Sequence, residues 1–534
     1  MKTFNCIYAL AISLLLIAGM HAQSKYSYDV KDFGAKGDGV ILDTKAIQSA
    51  IDECSSNGGT VYFSPGKYLT GSLELKDNVD IYIDNGAVIL GSTDIKDYTE
   101  HKPKMKSYND TFLRYSLLYA EGVKNIYIRG EGTIDGQGSY FKVKTKEKPV
   151  RYKNRPFVIR FVDCENVKVE NVTLKNSAMW MQQYLACKDL TIHGVKVYNH
   201  ANQNNDMMDI DGCKNVIISD CIGDTDDDGI TLKSTSPAIT ENVAITNCII
   251  SSHCNAIKLG TESTGGFKNI VISNMIVKPS EVKDCIFGLP GGIGGITLTN
   301  VDGGILEGIT ISNIRIDGAE VPIFLRLGNR ARKYKVDIPS PGVGTFSDIK
   351  ISNVSASNAG TTGCSITGIP GHDMENVSLS NISISFKGDG TIKEPENPLP
   401  ELADNYPEST MWGKLPAYGF YIRHAKGISF SDIQFHLADK DPRPALVMNE
   451  VKELKITGLT ASAVPESNSL IKIIKCQNIL ISNSNVAGKS KSFIEVGDSE
   501  SKNILLYGND LRKFRHPYTQ IIDGQVETLD NFGF

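Results

Sequence analysis

The sequence predicts an all-β chain: a single right-handed parallel β-helix, or solenoid, with a short capping helix at its N-terminal end. Three observations carry this expectation. A polar anchor, often Asn, followed by alternating apolar residues recurs along most of the chain, as in Asn125-Ile126-Tyr127-Ile128, Asn166-Val167-Lys168-Val169, Asn215-Val216-Ile217-Ile218 and Asn478-Ile479-Leu480-Ile481. Such period-two alternation is the signature of a strand. Successive anchors at positions 189, 215, 242 and 269, and again at 427, 453, 478 and 503, lie roughly 25 to 27 residues apart, a period typical of stacked repeats. Little of the chain has helical spacing, and no hairpin turns separate the copies, so each strand should pair with its equivalent in the next coil.

From the N-terminus, residues 1–22 read as a secretory signal: Lys2, an apolar core from Ile7 to Ala18, and Ala22 before Gln23. The core is too short for a membrane span, and no other long apolar run exists, so an exported chain without a membrane span is expected, periplasmic or extracellular. Residues 23–534 then read as one domain, because coils of a solenoid pack only on their neighbours and need no second core. Residues 43 to 55 form the one clear amphipathic helix, with Asp43 as N-cap and Ile47, Ala50, Ile51 and Cys54 on one face. Strand follows at Thr60-Val61-Tyr62-Phe63. Gaps longer than one period require loops that leave the coil, notably around 281–303 and 386–424, and such loops commonly carry function.

The net charge of -5, from 56 basic and 61 acidic residues, has no basic stripe, which argues against a nucleic-acid partner. Cys164, Cys187, Cys213 and Cys476 each stand just before a repeat anchor, so a buried ladder of free thiols is expected in preference to a disulfide framework. No cysteine pair has zinc-site spacing, and neither a metal nor a cofactor is expected.

The densest acidic segments, Asn204-Asn205-Asp206-Met207-Met208-Asp209-Ile210-Asp211 and Asp226-Asp227-Asp228-Gly229-Ile230-Thr231-Leu232-Lys233, superimpose at an offset of 22 residues. In a solenoid that offset becomes one strand spacing, about 4.8 Å. One column then holds Trp180, Asp206, Asp228 and Asn255, and a second Gln183, Asp209, Thr231 and Lys258. A third holds Asp211, Lys233 and Gly260, while Ile210, Leu232 and Leu259 have opposite parity and face inward. Stacked Asx residues can be purely structural. Asp206 over Asp228 with Asp227 adjacent is different, because crowded like charges cost stability and raise a pKa. Two carboxyl groups flanking a bond is what glycoside hydrolysis needs: one protonated, one ionised.

These motifs resemble the polygalacturonase family of pectin-degrading glycoside hydrolases, glycoside hydrolase family 28. Asn204-Asn205-Asp206 matches the family's Asn-Thr-Asp, with Asn205 in place of Thr. Asp227-Asp228 and Lys233-Ser234 match its Asp-Asp and Lys-Ser, and the segment from Tyr28 to Gly39 resembles its N-terminal stretch. The resemblance implies Asp227 as general acid, Asp206 and Asp228 as bases activating water with inversion, and a galacturonosyl linkage in a pectic polysaccharide as substrate. A monomer is expected.

Two departures follow. Ser252-His253-Cys254 stands near the family's Gly-His-Gly, although Asn255 falls in the column of the expected His. The family's Arg-x-Lys should fall near Gly295-Ile296-Thr297-Leu298, where no basic residue occurs. Substrate contacts are therefore expected from Asn204, Trp180, His253, Asn255, Lys258 and Arg326, with Arg330 and Arg332 as further cations. Rhamnogalacturonan-acting and exo-galacturonidase relatives are candidates beside the polygalacturonases. The rivals are a β-helical polysaccharide lyase and a non-catalytic glycan-binding β-helix.

Overall fold

The computed structural model describes residues 26–109, 112–147, 150–391 and 399–533; residues 1–22, expected to be a secretory signal, lie outside the described residues. Strands stack in parallel ladders, each pairing with its equivalent one coil away, in a right-handed parallel β-helix. One continuous hydrophobic cluster runs through the coils from Val30 to Val526.

The face that matters for function comprises β1 (Gln182–Leu185), β2 (Met208–Asp211), β3 (Ile230–Ser234), β4 (Asn255–Ser263), β5 (Gly294–Asn300) and β6 (Val321–Leu327). Its register stacks Gln183, Asp209, Thr231, Lys258, Thr297 and Phe324, in the order expected as far as Lys258. Ile210, Leu232, Leu259, Leu298 and Leu325 form the inward column, each with no exposed surface. The expected step from Lys233 to Gly260 is where the ladder slips: Leu232 pairs with Leu259, but Ser234 pairs with Ser263. Such a bulge re-aims the side chains around it.

The repeated Asn anchors have a backbone cause. Asn215, Asn242 and Asn269 sit at φ 57°, 57° and 53°, the left-handed region that Asn tolerates best among residues with a Cβ. Their amides also bridge coils, Asn242 Nδ2 to Asn215 Oδ1 at 3.2 Å and Asn269 Nδ2 to Asn242 Oδ1 at 3.3 Å. One residue type thus turns each corner and joins it to the next. Cys164, Cys187 and Cys213 are buried and free, as are Cys221 and Cys248, matching the expected thiol ladder.

Helix α1 (Thr44–Asn57) packs Ile47, Ala50, Ile51 and Cys54 against the first strands. Asp43 does not cap it with its side chain. Its carboxylate accepts the N–H groups of Lys36 and Gly37 at 2.7 and 2.9 Å, tying the preceding turn to the helix start, while its carbonyl accepts from Ile47.

The outward columns do point away from the core, but they are not solvated: Gln183, Asp209 and Thr231 have no exposed surface and Lys258 has 2%. Loops close over them. Tyr108 donates its N–H to Thr235 O at 2.8 Å, Arg332 pairs with Glu262 at 2.6 Å, and the Tyr406 hydroxyl lies 3.4 Å from Lys258 Nζ. The gaps in the repeat therefore supply walls around one patch of this face.

Candidate active site

Those walls enclose a cavity of about 660 Å³, lined among others by Tyr108, Arg151, Trp180, Asn204, Asp206, Asp227, Asp228, Lys233, Lys258, Glu262, Arg332, Tyr406 and Glu408. Its size is in the range of small-ligand sites. At its floor one oxygen of each of Asp206, Asp227 and Asp228 lies within 4.8 Å of the others.

Three consecutive aspartates reach different places because residues 226–227 form a bend between strand Ile222–Thr225 and β3. Asp226 turns away from the cavity, where its carboxylate accepts the N–H groups of Ile286 and Phe287 at 2.7 and 3.0 Å. The Asp227 main chain is pinned through its carbonyl by Thr225 Oγ1 at 3.0 Å and Ser252 Oγ at 2.6 Å, which leaves its side chain in the cavity. Gly229 allows the close packing beneath: a Cβ there would lie 2.4 Å from the Ala256 carbonyl. Coil stacking places Asp206 beside Asp228, since Met207 N–H donates to Asp228 O at 2.9 Å.

The three carboxyl groups have different surroundings. Asp228 Oδ1 accepts from the Asn255 side chain at 2.9 Å and Oδ2 from Lys258 Nζ at 2.7 Å. Asp227 Oδ1 accepts the Asp228 N–H at 3.0 Å, and Asn204 Nδ2 lies 3.4 Å from its Oδ2. Enclosure and the charge of Asp228 push the Asp227 carboxyl up to about 6, against the pull of Lys258 and Lys233. Asp206 Oδ1 is buried without a hydrogen-bond partner, and burial, then the charges of Asp209 and Asp227, hold its pKa well above the usual carboxylate range. Crowded carboxyl groups of this kind keep a proton in the cluster.

Beneath them Lys233 Nζ bridges Asp209 Oδ1 at 3.4 Å and Glu262 Oε2 at 3.2 Å. Burial disfavours its charge, but Glu262, Asp209 and Asp206 more than compensate and raise its pKa. Glu262 in turn is held well below its ordinary value, burial notwithstanding, by Lys233, Arg332 and Arg330. Glu408 has its pKa raised, chiefly by burial.

Of the expected contacts, Asn204, Trp180 and Lys258 line the cavity and Asn255 holds Asp228 from behind. Asn205 does a structural task in place of Thr, donating to the carbonyls of Ser177 and Met179 at 2.9 Å each. Trp180 is not an open platform: it is 8% exposed, and the Lys233 ammonium lies 4.6 Å from its ring centroid. His253 is absent from the lining; the bend turns its ring onto Asp226 at 2.9 Å. Arg326 is also outside, spent on the carbonyls of Gly368 and Glu401 and on the Trp412 ring. Arg330 pairs with Asp302, whereas Arg332 does reach the cavity. Sequence reasoning missed Glu262, Arg151, Tyr406 and Glu408. The last two sit on a loop without periodicity. Glu262 lies within the β3–β4 slip, between Leu259 and Ser263, where the column arithmetic fails.

The chain matches the model of glycosyl hydrolases family 28 over residues 72–399. It is 33% identical over 220 residues to a "Probable polygalacturonase" of Vitis vinifera, covering 39% of this chain and 44% of that protein. It is 28% identical over 249 residues to an exo-poly-alpha-D-galacturonosidase of Dickeya chrysanthemi, covering 38% and 41%. The matches thus span less than half the length of these relatives. Among solved structures, a family 28 exopolygalacturonase of Yersinia enterocolitica superimposes with a TM-score of 0.61 at 20% identity, covering 81% of this chain and 78% of that one. An exopolygalacturonase of Thermotoga maritima gives 0.55 at 21% identity, covering 68% and 87%. At those identities the two structures speak for the fold alone. With the family match spanning more than half of its residues, the chain belongs to glycosyl hydrolases family 28.

Proposed function

We propose that this protein is an exported glycoside hydrolase that cleaves a galacturonosyl linkage in a pectic polysaccharide or one of its fragments. The observation that carries the chemistry is the contrast inside one cavity: Asp227 with its pKa raised to about 6, beside Asp228 paired to Lys258. Asp227 protonates the glycosidic oxygen as the bond to the sugar breaks. Asp228 takes the proton of the attacking water. That division separates acid from base by environment alone. Asp206, the second base in the family likeness, is better suited here to holding a proton and steadying Asp227, because nothing in its surroundings favours its charge enough to offset burial and its acidic neighbours.

Cations at the mouth support an acidic sugar. Arg151, Lys333 and Lys335 line the cavity, and Lys333 and Lys335 are exposed. They take the part of the missing Arg-x-Lys, since a carboxylate entering a partly dry site needs a charged partner. Tyr406 and Phe287, 49% and 57% exposed, offer rings for sugar faces.

Inversion rests on the family likeness. Inverting glycosidases typically hold their two carboxyl groups roughly 6.5–9.5 Å apart. One oxygen of each member of the trio lies within 4.8 Å of the others, a span that a single water bridges with two hydrogen bonds. The water would then approach from the cavity side of Asp228. Proton NMR of the first-formed anomer on a defined α-linked oligogalacturonide tests this: the β-anomer is expected, and initial α-anomer would refute inversion. The same digest separates hydrolysis from a lyase reaction, because hydrolysis releases reducing ends without the ultraviolet absorbance of an unsaturated uronate. Unsaturated products would overturn the hydrolase.

A further inference from the structure

Behind the catalytic bend lies a second cluster that this chemistry does not use. His200, Asp226 and His253 each present one donor atom within 4.8 Å of the others. His253 Nε2 lies 2.9 Å from the Val282 carbonyl, which can only accept, so that nitrogen carries a hydrogen. His200 Nε2 faces Asp224 Oδ1 at 2.9 Å and donates to it. In each ring Nδ1 is then the remaining donor atom. His253 Nδ1 is aimed at Asp226 Oδ1 at 2.9 Å. His200 Nδ1 lies 4.0 Å from the same oxygen, makes no hydrogen bond, and belongs to a side chain only 6% exposed. Two imidazole lone pairs converging on a carboxylate oxygen repel unless a positive charge sits between them.

We propose that His200 Nδ1, His253 Nδ1 and Asp226 form a site for a divalent first-row ion of the zinc class. The second contacts fit: a metal-ligating His characteristically gives its other N–H to a carboxylate or a backbone carbonyl, as His200 does to Asp224 and His253 to Val282. The spacing fits as well. Tetrahedral ligands about 2.1 Å from zinc lie about 3.4 Å apart, and 2.9 and 4.0 Å bracket that value. Two imidazoles with one carboxylate favour zinc, cobalt or nickel over calcium or magnesium, which take oxygen ligands.

The ion's task is structural. Asp226 holds the N–H groups of Ile286 and Phe287, and Asp224 holds Ser280 Oγ at 2.6 Å and the Glu281 N–H at 3.2 Å. An ion here clamps the 280–287 loop to the strand end that aims Asp227, and Phe287 is part of the cavity wall. His200 and Asp224 are positioning residues in this scheme.

The test uses untagged, chelator-treated full-length protein, titrated with Zn²⁺ by calorimetry and with Co²⁺ by visible absorption. Wild type should bind one ion per chain, with cobalt bands of a nitrogen–oxygen site and a raised melting temperature. Asp224→Asn should weaken binding about 10–100-fold, and His200→Ala more than that. His200→Gln, which keeps the side-chain bulk, stands in if the Ala variant does not fold. Asp227→Asn, which alters the catalytic trio alone, should bind normally. Absence of binding by wild type would overturn the site and leave a proton between His253 and Asp226. Unchanged affinity in both His200 variants, or loss confined to Asp227→Asn, would overturn it equally.

Discussion

Replacing Asp227 with Asn should make the protein more stable at neutral pH while nearly abolishing turnover, and both effects follow from the same crowding. In the folded chain the Asp227 carboxyl is raised from 3.8 to about 6. That is about two units, or about 3 kcal/mol of penalty once the group must ionise. The sign is fixed by linkage. Below about pH 3.8 the carboxyl is neutral in both folded and unfolded chains, and its removal changes nothing. Between about pH 3.8 and about 6 the unfolded chain ionises while the native carboxyl keeps its proton, so stability falls across that window, the loss is complete above about 6, and Asn relieves it. Unfolding entropy of about 2.1 cal/mol/K per residue over about 500 residues makes 3 kcal/mol worth about 3 °C. Asn keeps the acceptor for the Asp228 N–H but sets its amide against that of Asn204, which lowers the gain. Thermal melts of both proteins from pH 4 to 8 should therefore diverge between pH 4 and about 6 and stay apart above it, by up to about 3 °C. Turnover on the true substrate should fall about 10²–10⁴-fold with little change in KM, and wild-type kcat/KM should decline above about pH 6. A melting difference that is flat across that range, or turnover within tenfold of wild type, would refute the assignment.

Further outcomes test the rest of the site. Lys258→Met removes the partner of Asp228 and strands a buried carboxylate, so denaturant unfolding should show a loss of about 3–5 kcal/mol as well as loss of activity. Lys333→Ala with Lys335→Ala should raise KM on polygalacturonate, more at low salt than at high salt, with kcat nearly kept; steady-state kinetics at two ionic strengths reads this. Arg326→Ala should lower the melting temperature without changing KM, because its guanidinium serves the Gly368 and Glu401 carbonyls and not the cavity.

What the sequence disclosed and what it hid divide along a physical line. A solenoid turns offset into distance, so the stacking of Gln183, Asp209, Thr231 and Lys258, and of Asp206 beside Asp228, could be read from spacing alone. The Asn anchors were legible because one residue type satisfies both a left-handed corner and a ladder of amides. Periodicity says nothing where the chain leaves the coil. The loops carrying Tyr108, Arg332, Tyr406 and Glu408 have no repeat to place them, and they convert an outward polar face into a buried one. That conversion decides the chemistry. On an open face Asp209 and Lys233 would be a solvated pair of small consequence; under the loops they are a buried ion pair 3.4 Å apart that lies below Trp180 and Asp206. His253, expected at the site from its nearness to the family's Gly-His-Gly position, turns onto Asp226 instead: nearness in sequence gives a residue's height along the solenoid, not the side of a bend to which it turns. The coils thus fix where the carboxyl groups stand, and the insertions set how strongly each holds its proton. Grafting a shorter 399–415 segment should therefore leave the β-helix intact by circular dichroism while shifting the pH profile toward lower pH, as water reaches Asp227. A profile unmoved by that opening would show that the stacked charges alone, and not their covering, raise the acid.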